Sequence, residues 1–138
     1  MDAALQRLIN EASRARTNAY APYSNFPVGA AIECDDGTVY AGSNVENAAY
    51  PLGCCAEASA ISAMVTAGTS HTISRIVVAG PIEGVCTPCG GCRQKLNEFT
   101  EGDVTITICN NKDEIVGNVT MADLLPMAFG PRDVLGNE

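Results

Sequence analysis

Two short segments hold the residue types that can do chemistry: Cys55-Ala56-Glu57 and Pro88-Cys89-Gly90-Gly91-Cys92. Each opens a stretch of helical character. Residues three apart on a helix share a face, so Cys89 and Cys92 can reach one ion. The positive end of a helix favours thiolate over thiol. With Cys55 the segments supply three sulfur ligands. Three protein ligands leave one tetrahedral position for water, which is the pattern of a catalytic rather than a structural zinc. Glu57 lies two residues beyond Cys55 and can reach that water without binding the metal.

Other chemistries fit these residues less well. A structural four-cysteine zinc site would recruit Cys54 or Cys86 as its fourth ligand. Cys86, Cys89 and Cys92 also form a C-x₂-C-x₂-C run, but the ferredoxin pattern needs a further cysteine where Leu96 stands. A cysteine-nucleophile site needs an orienting histidine. The only histidine, His71, follows Gly68-Thr69-Ser70 in an expected loop. Cys34 and Cys109 read as small buried hydrophobes. Seven cysteines cannot all pair, and clustered thiols point to metal or catalysis rather than disulfides.

These motifs need elements to position them. Leu5, Leu8, Ile9 and Ala12 at helical spacing predict a helix from Ala3 to Tyr20, ended by Pro22. Strands are expected at Phe26–Cys34 and Val39–Asn44 around an Asp36-Gly37 turn. Helices follow at Cys55–Ala67, stopped by Gly68, and at Cys89–Phe99 after Pro88. The β-branched run Ile73–Ala79 predicts a buried strand. Val104–Cys109 and Ile115–Val119 are further strands, and Met121–Leu125 a short helix. The order αββαβαββα implies an α/β fold: a three-layer α/β/α sandwich around a mixed five-stranded sheet. The 138 residues are expected to form a single domain spanning 1–138.

Sixteen acidic against eight basic residues give a net charge of −8. Such a surface repels phosphate backbones and anionic lipid. The charge therefore excludes nucleic-acid partners and favours a small neutral ligand. No apolar run approaches the roughly 20 residues of a membrane span, and Met1–Arg7 has no secretory character. A cytoplasmic location is expected.

Cys-Ala-Glu followed by Pro-Cys-x-x-Cys-Arg-Gln is similar to the signature of the zinc nucleoside and nucleobase deaminases. Flanking segments extend the likeness: Ala21 to Ala30, Gly42 to Ala48, Tyr50 to Gly53 (with Leu52 before the glycine) and Leu124 to Pro131. Together they span about residues 15–133. The chain resembles the homotetrameric Cys₃ type of the cytidine deaminase family. The resemblance implies one zinc per subunit, held by Cys55, Cys89 and Cys92. It implies hydrolysis of cytidine and 2′-deoxycytidine in pyrimidine salvage. Glu57 matches the proton shuttle. Asn44 and Glu46 match the pair on the ribose hydroxyls, and Phe26 the aromatic on the pyrimidine. The Ala56 backbone and the Thr87 carbonyl match contacts to the ring edge and the leaving amine. Tyr50 and Phe129 match residues that enter a neighbouring subunit's site. Arg93 matches an arginine that bonds the thiolates. Many relatives carry a second such arginine where this chain has Ala58. One rival lies within the same superfamily, a deaminase of another small heterocycle such as a nucleoside antibiotic; the rival from another class is a non-catalytic zinc-stabilised module with four-cysteine ligation.

Overall fold

The Asp2 side chain accepts the Leu5 N–H at 2.7 Å and starts the first helix, α1 (Ala3–Thr17). The structure, a computed structural model, describes residues 2–136. Met1 and residues 137–138, the ends of the expected domain and the first residue of the expected non-secretory start, lie outside the described residues. Helix α1 stops short of Tyr20. Its last carbonyls are closed at Asn18, whose N–H reaches Ala15 and Arg16, so Pro22 is not the terminator.

Strands β1 (Gly29–Cys34) and β2 (Val39–Ser43) form a hairpin. Gly37 takes φ 86° in its turn, a conformation glycine adopts at no steric cost. The expected strand start at Phe26 is replaced by Gly29. The Asn44 side chain takes the Val28 N–H and gives to the Phe26 carbonyl, which leaves both groups unavailable to a ladder. A 3₁₀ turn at Tyr50–Leu52 leads to α2 (Ala56–Ala67), which ends on left-handed Gly68. Then come β3 (Ile73–Ala79), α3 (Gly90–Asn97), β4 (Thr100–Cys109) and β5 (Ile115–Thr120). Strand β4 begins four residues earlier than expected because Thr100 pairs with Ile73. Helix α4 (Met121–Leu124) is closed by a Thr120–Asp123 capping box. Helix α5 (Pro131–Leu135) was not expected from the sequence. It is only five residues long and shows no apolar period, but it opens on a proline.

The sheet order is β2-β1-β3-β4-β5, with β3 and β4 parallel and every other pair antiparallel. It is the mixed five-stranded sheet that the sequence implied. Alternate residues face opposite layers. Ala31, Val77, Ala79 and Cys109 pack on Leu8, Ile9 and Ala12 of α1. Ile32, Ile76, Val78, Ile106 and Ile108 pack on Ala60, Met64, Leu96, Met121 and Leu124 from the helices of the other face.

Two glycines set the helix-to-sheet distance. A Cβ at Gly29 would lie 2.0 Å from the Ala12 carbonyl of α1. One at Gly42 would lie 2.3 Å from the Ala60 nitrogen and 2.4 Å from the Ala56 carbonyl of α2. Both neighbours are backbone and cannot swing aside. Gly42→Ala should therefore cost about 1–3 kcal/mol in urea unfolding, the range of overpacked cores. Gly84→Ala, where a Cβ meets nothing within 4 Å, should stay within about 0.5 kcal/mol of the parent. Equal midpoints for parent and Gly42→Ala would refute the close-approach argument.

Candidate active site

Cys55 is the N-cap of α2, Cys89 the N-cap of α3, and Cys92 the third residue of α3. The sheet sets these two helix starts side by side, and the three sulfur atoms all lie within 4.8 Å of one another. The Cys55 and Cys89 Sγ atoms are 3.9 Å apart. Tetrahedral zinc with Zn–S bonds of about 2.3 Å places its sulfurs about 3.8 Å apart. Three soft thiolates at that spacing fit zinc. Cys54 and Cys86 do not join the group among the described residues, so the four-sulfur alternative lacks its fourth ligand. Cys54 is exposed and pairs through its backbone with Val45. Cys34 and Cys109 are buried in the core, as expected.

Helix N-termini alone do not convert all three thiols to thiolates. The Cys92 backbone N–H holds Cys89 below the usual thiol range. Burial pushes Cys55 and Cys92 up, and the Glu57 carboxylate adds to both. A bound cation is the charge that reverses this cost. Glu57, the second residue of α2, is 4% exposed, and burial raises its carboxyl above the usual carboxylate range. That moves it toward the range in which a group both takes and returns a proton.

A single cleft brings Cys55, Cys89 and Glu57 together with Phe26, Asn44, Glu46, Ala56 and Thr87. The segment before β1, the end of β2 and the two helix starts thus meet at one place. Ser24, Val28 and Cys86 also line the cleft. Sequence reasoning did not single out Ser24 or Val28, although both fall in the Ala21–Ala30 segment that carries the family likeness. It considered Cys86 only as a ligand. Tyr50 and Phe129 lie elsewhere. Tyr50, 75% exposed, lines the adjoining cleft opposite Tyr23, with ring centroids 5.9 Å apart. Phe129, 63% exposed, sits beside α3, where its carbonyl accepts from Gln94 at 2.8 Å.

Arg93 differs from expectation. Its Nε donates to the Pro88 carbonyl at 2.8 Å, Nη1 to the Leu124 carbonyl at 3.1 Å and Nη2 to the Thr87 hydroxyl at 3.1 Å. It therefore ties the loop before Cys89 to the end of α4, and oxygen acceptors occupy donors that were expected to meet sulfur. Guanidinium prefers such hard acceptors in a fixed fork. Ala58 lines the groove between α2 and α3 with Lys95 and Phe99.

Similarity to known proteins agrees with this geometry. The family model for the cytidine and deoxycytidylate deaminase zinc-binding region matches residues 2–108. The cytidine deaminase of Sporosarcina psychrophila is 42% identical over 130 residues, covering 94% of each chain. That of Mycobacterium tuberculosis is 40% identical over 127 residues, covering 92% of this chain and 90% of the relative. Among solved structures, the cytidine deaminase of Burkholderia pseudomallei superposes with a TM-score of 0.84 at 41% identity, covering 94% of this chain and all of that one. The Mycobacterium leprae enzyme gives 0.77 at 41% identity, covering 91% of this chain and all of the other. With more than half of its length matched by the family model and full-length relatives near 40% identity, the chain belongs to the cytidine and deoxycytidylate deaminase family.

Proposed function

We propose that the protein is a zinc-dependent hydrolase that converts cytidine and 2′-deoxycytidine to uridine and 2′-deoxyuridine with release of ammonia. The observation that carries this reading is the buried Glu57 standing beside three converging thiols in a cleft that also holds Phe26, Asn44 and Glu46. Cys55, Cys89 and Cys92 hold the metal, and zinc, when bound, supplies Lewis-acid activation of water. Glu57 takes one proton of the attacking water and delivers it to N3 of the ring, then takes the second from the hydroxyl formed at C4 and delivers it to the amine, which leaves as ammonia while C4 becomes a carbonyl. Phe26 packs on the pyrimidine. The Ala56 N–H, free at the start of α2, is a donor for the ring edge. Thr87 stands where the amine departs, and Arg93 fixes that loop.

Asn44 and Glu46 face a nucleoside hydroxyl, which favours a sugar-bearing substrate over a free base. The net charge of −8 favours a free nucleoside over a polynucleotide. No helix of the described residues is long and apolar enough to cross a membrane. We assign the enzyme to pyrimidine salvage in the cytoplasm, as a single-domain subunit of a homotetramer. Tyr50 and Phe129, exposed and outside the cleft of their own chain, then complete the site of a neighbour.

Replacing any one of Cys55, Cys89 or Cys92 by alanine should abolish stoichiometric zinc and turnover. Cys54→Ala should retain both. Metal analysis of the purified variants decides it, and release of zinc by Cys54→Ala but not Cys55→Ala would shift the assignment by one residue.

Glu57→Gln should keep zinc and fold and lose at least the roughly 10²–10⁴-fold that a general acid–base group contributes. Loss of cytidine absorbance is the readout, and near-parental turnover with zinc bound would refute the mechanism.

Phe129→Ala and Glu57→Gln subunits, each inactive or impaired alone, should recover part of the activity when mixed into hybrids. Hybrids that form without recovery would place each site within one chain.

A further inference from the structure

The hydroxyl of Ser24 sits between the two parts of the cleft that meet different ends of a nucleoside. It donates to Glu46 Oε2. It also accepts the backbone N–H of Phe26 at 3.0 Å. The other oxygen of Glu46, Oε1, accepts the backbone N–H groups of Tyr23 at 2.9 Å and Ser24 at 3.1 Å. An ionised carboxylate has about four acceptor positions. Three are filled from the loop, and one remains, on Oε2.

Asn44 is limited in the same way. Its Oδ1 accepts the Val28 N–H at 2.8 Å, and its Nδ2 gives one hydrogen to the Phe26 carbonyl at 3.0 Å. One amide N–H is left to donate. A remaining acceptor on Glu46 and a remaining donor on Asn44 match one hydroxyl group, which both gives and takes a hydrogen bond. Ser24 decides which acceptor remains. Without its hydroxyl, Oε2 has two open positions, the carboxylate is held at Oε1 alone, and the Phe26 N–H loses its partner. The Ser24 hydroxyl is also the main reason the Glu46 carboxyl lies below its usual range.

We propose that Ser24 is a positioning residue that aims Glu46 at the 3′-hydroxyl, the ring hydroxyl that cytidine and 2′-deoxycytidine share, and ties that aim to the placement of Phe26. The proposal rests on the nucleoside reading given above and deepens it. Ser24 does not touch the reacting atoms. It acts mainly through Glu46, so its effect is larger on substrates that carry the hydroxyl than on those that lack it, which feel only the lost Phe26 bond.

The test is calorimetric binding of uridine and 3′-deoxyuridine to three zinc-loaded proteins: parent, Ser24→Ala and Ser24→Thr. Uridine should bind about tenfold more weakly to Ser24→Ala, the scale of one lost hydrogen bond to a charged group. 3′-Deoxyuridine should bind parent and Ser24→Ala within about twofold of each other, because the aimed acceptor has nothing to meet. Ser24→Thr keeps the hydroxyl at an exposed position and should restore uridine binding. The proposal is overturned if Ser24→Ala binds uridine as the parent does, if both nucleosides weaken equally, or if the parent does not distinguish the two. Cytidine turnover by the parent, assayed separately, decides the deaminase reading on its own, so the two failures are distinguishable.

Discussion

Everything at the site depends on bringing three thiols within 4.8 Å of one another. That arrangement is costly without a metal. Burial and the nearby Glu57 raise two of the three thiols, and only Cys89 is eased by a backbone N–H. The fold meets the cost by geometry rather than by charge. Two helix starts are fixed next to each other because α2 lies against β2 at the backbone distance that Gly42 permits, while α3 follows β3 and packs beside α2 through Leu96. A zinc ion placed among these sulfurs converts an unfavourable cluster into a bound one, and its binding energy then contributes to folding.

The side of the cleft away from the sulfurs follows a different logic. The segment between α1 and β1 has few ladder bonds of its own, and side chains from the end of β2 hold it. Asn44 replaces strand partners at Phe26 and Val28, and Glu46 closes the turn at Tyr23 and Ser24. The polar groups that line the cleft are thus the same groups that shape the loop. Their remaining hydrogen-bonding capacity is small and directional, which is how a shallow, partly exposed cleft can still select a ligand.

Arg93 shows how a residue can matter to a metal site without touching the metal. Its guanidinium gathers Pro88, Thr87 and Leu124, so the approach to Cys89 is tied to the far end of the chain at α4. It acts on the loop that leads into Cys89 rather than on a sulfur atom. Position 58, on the groove between α2 and α3, is alanine, so α2 brings no guanidinium to the cluster.

Much of the chemistry was legible in the sequence because it is local. Cys55, Glu57, Cys89 and Cys92 are a few residues apart within two helix starts, and helical geometry determines which side chains share a face. The strands were legible too, since β-branched runs such as Ile73–Ala79 report burial directly. The strand order was not, because β3 meets both β1 and β4, and such pairing is decided by the whole set of packed faces. Element ends were misplaced where other hydrogen bonds win: Asn44, 16 residues away, holds back the start of β1, and the local Asn18 cap closes α1 before Pro22. Ser24 stayed hidden for the same reason. A serine in a loop shows no period and no motif spacing, and its bond to Glu46 spans 22 residues. The sequence by itself determined which residues could bind a metal and move a proton, because those properties belong to the side chains. Only the tertiary structure decided which of them share a cleft and which donors and acceptors remain free, because both depend on contacts between segments far apart in the chain.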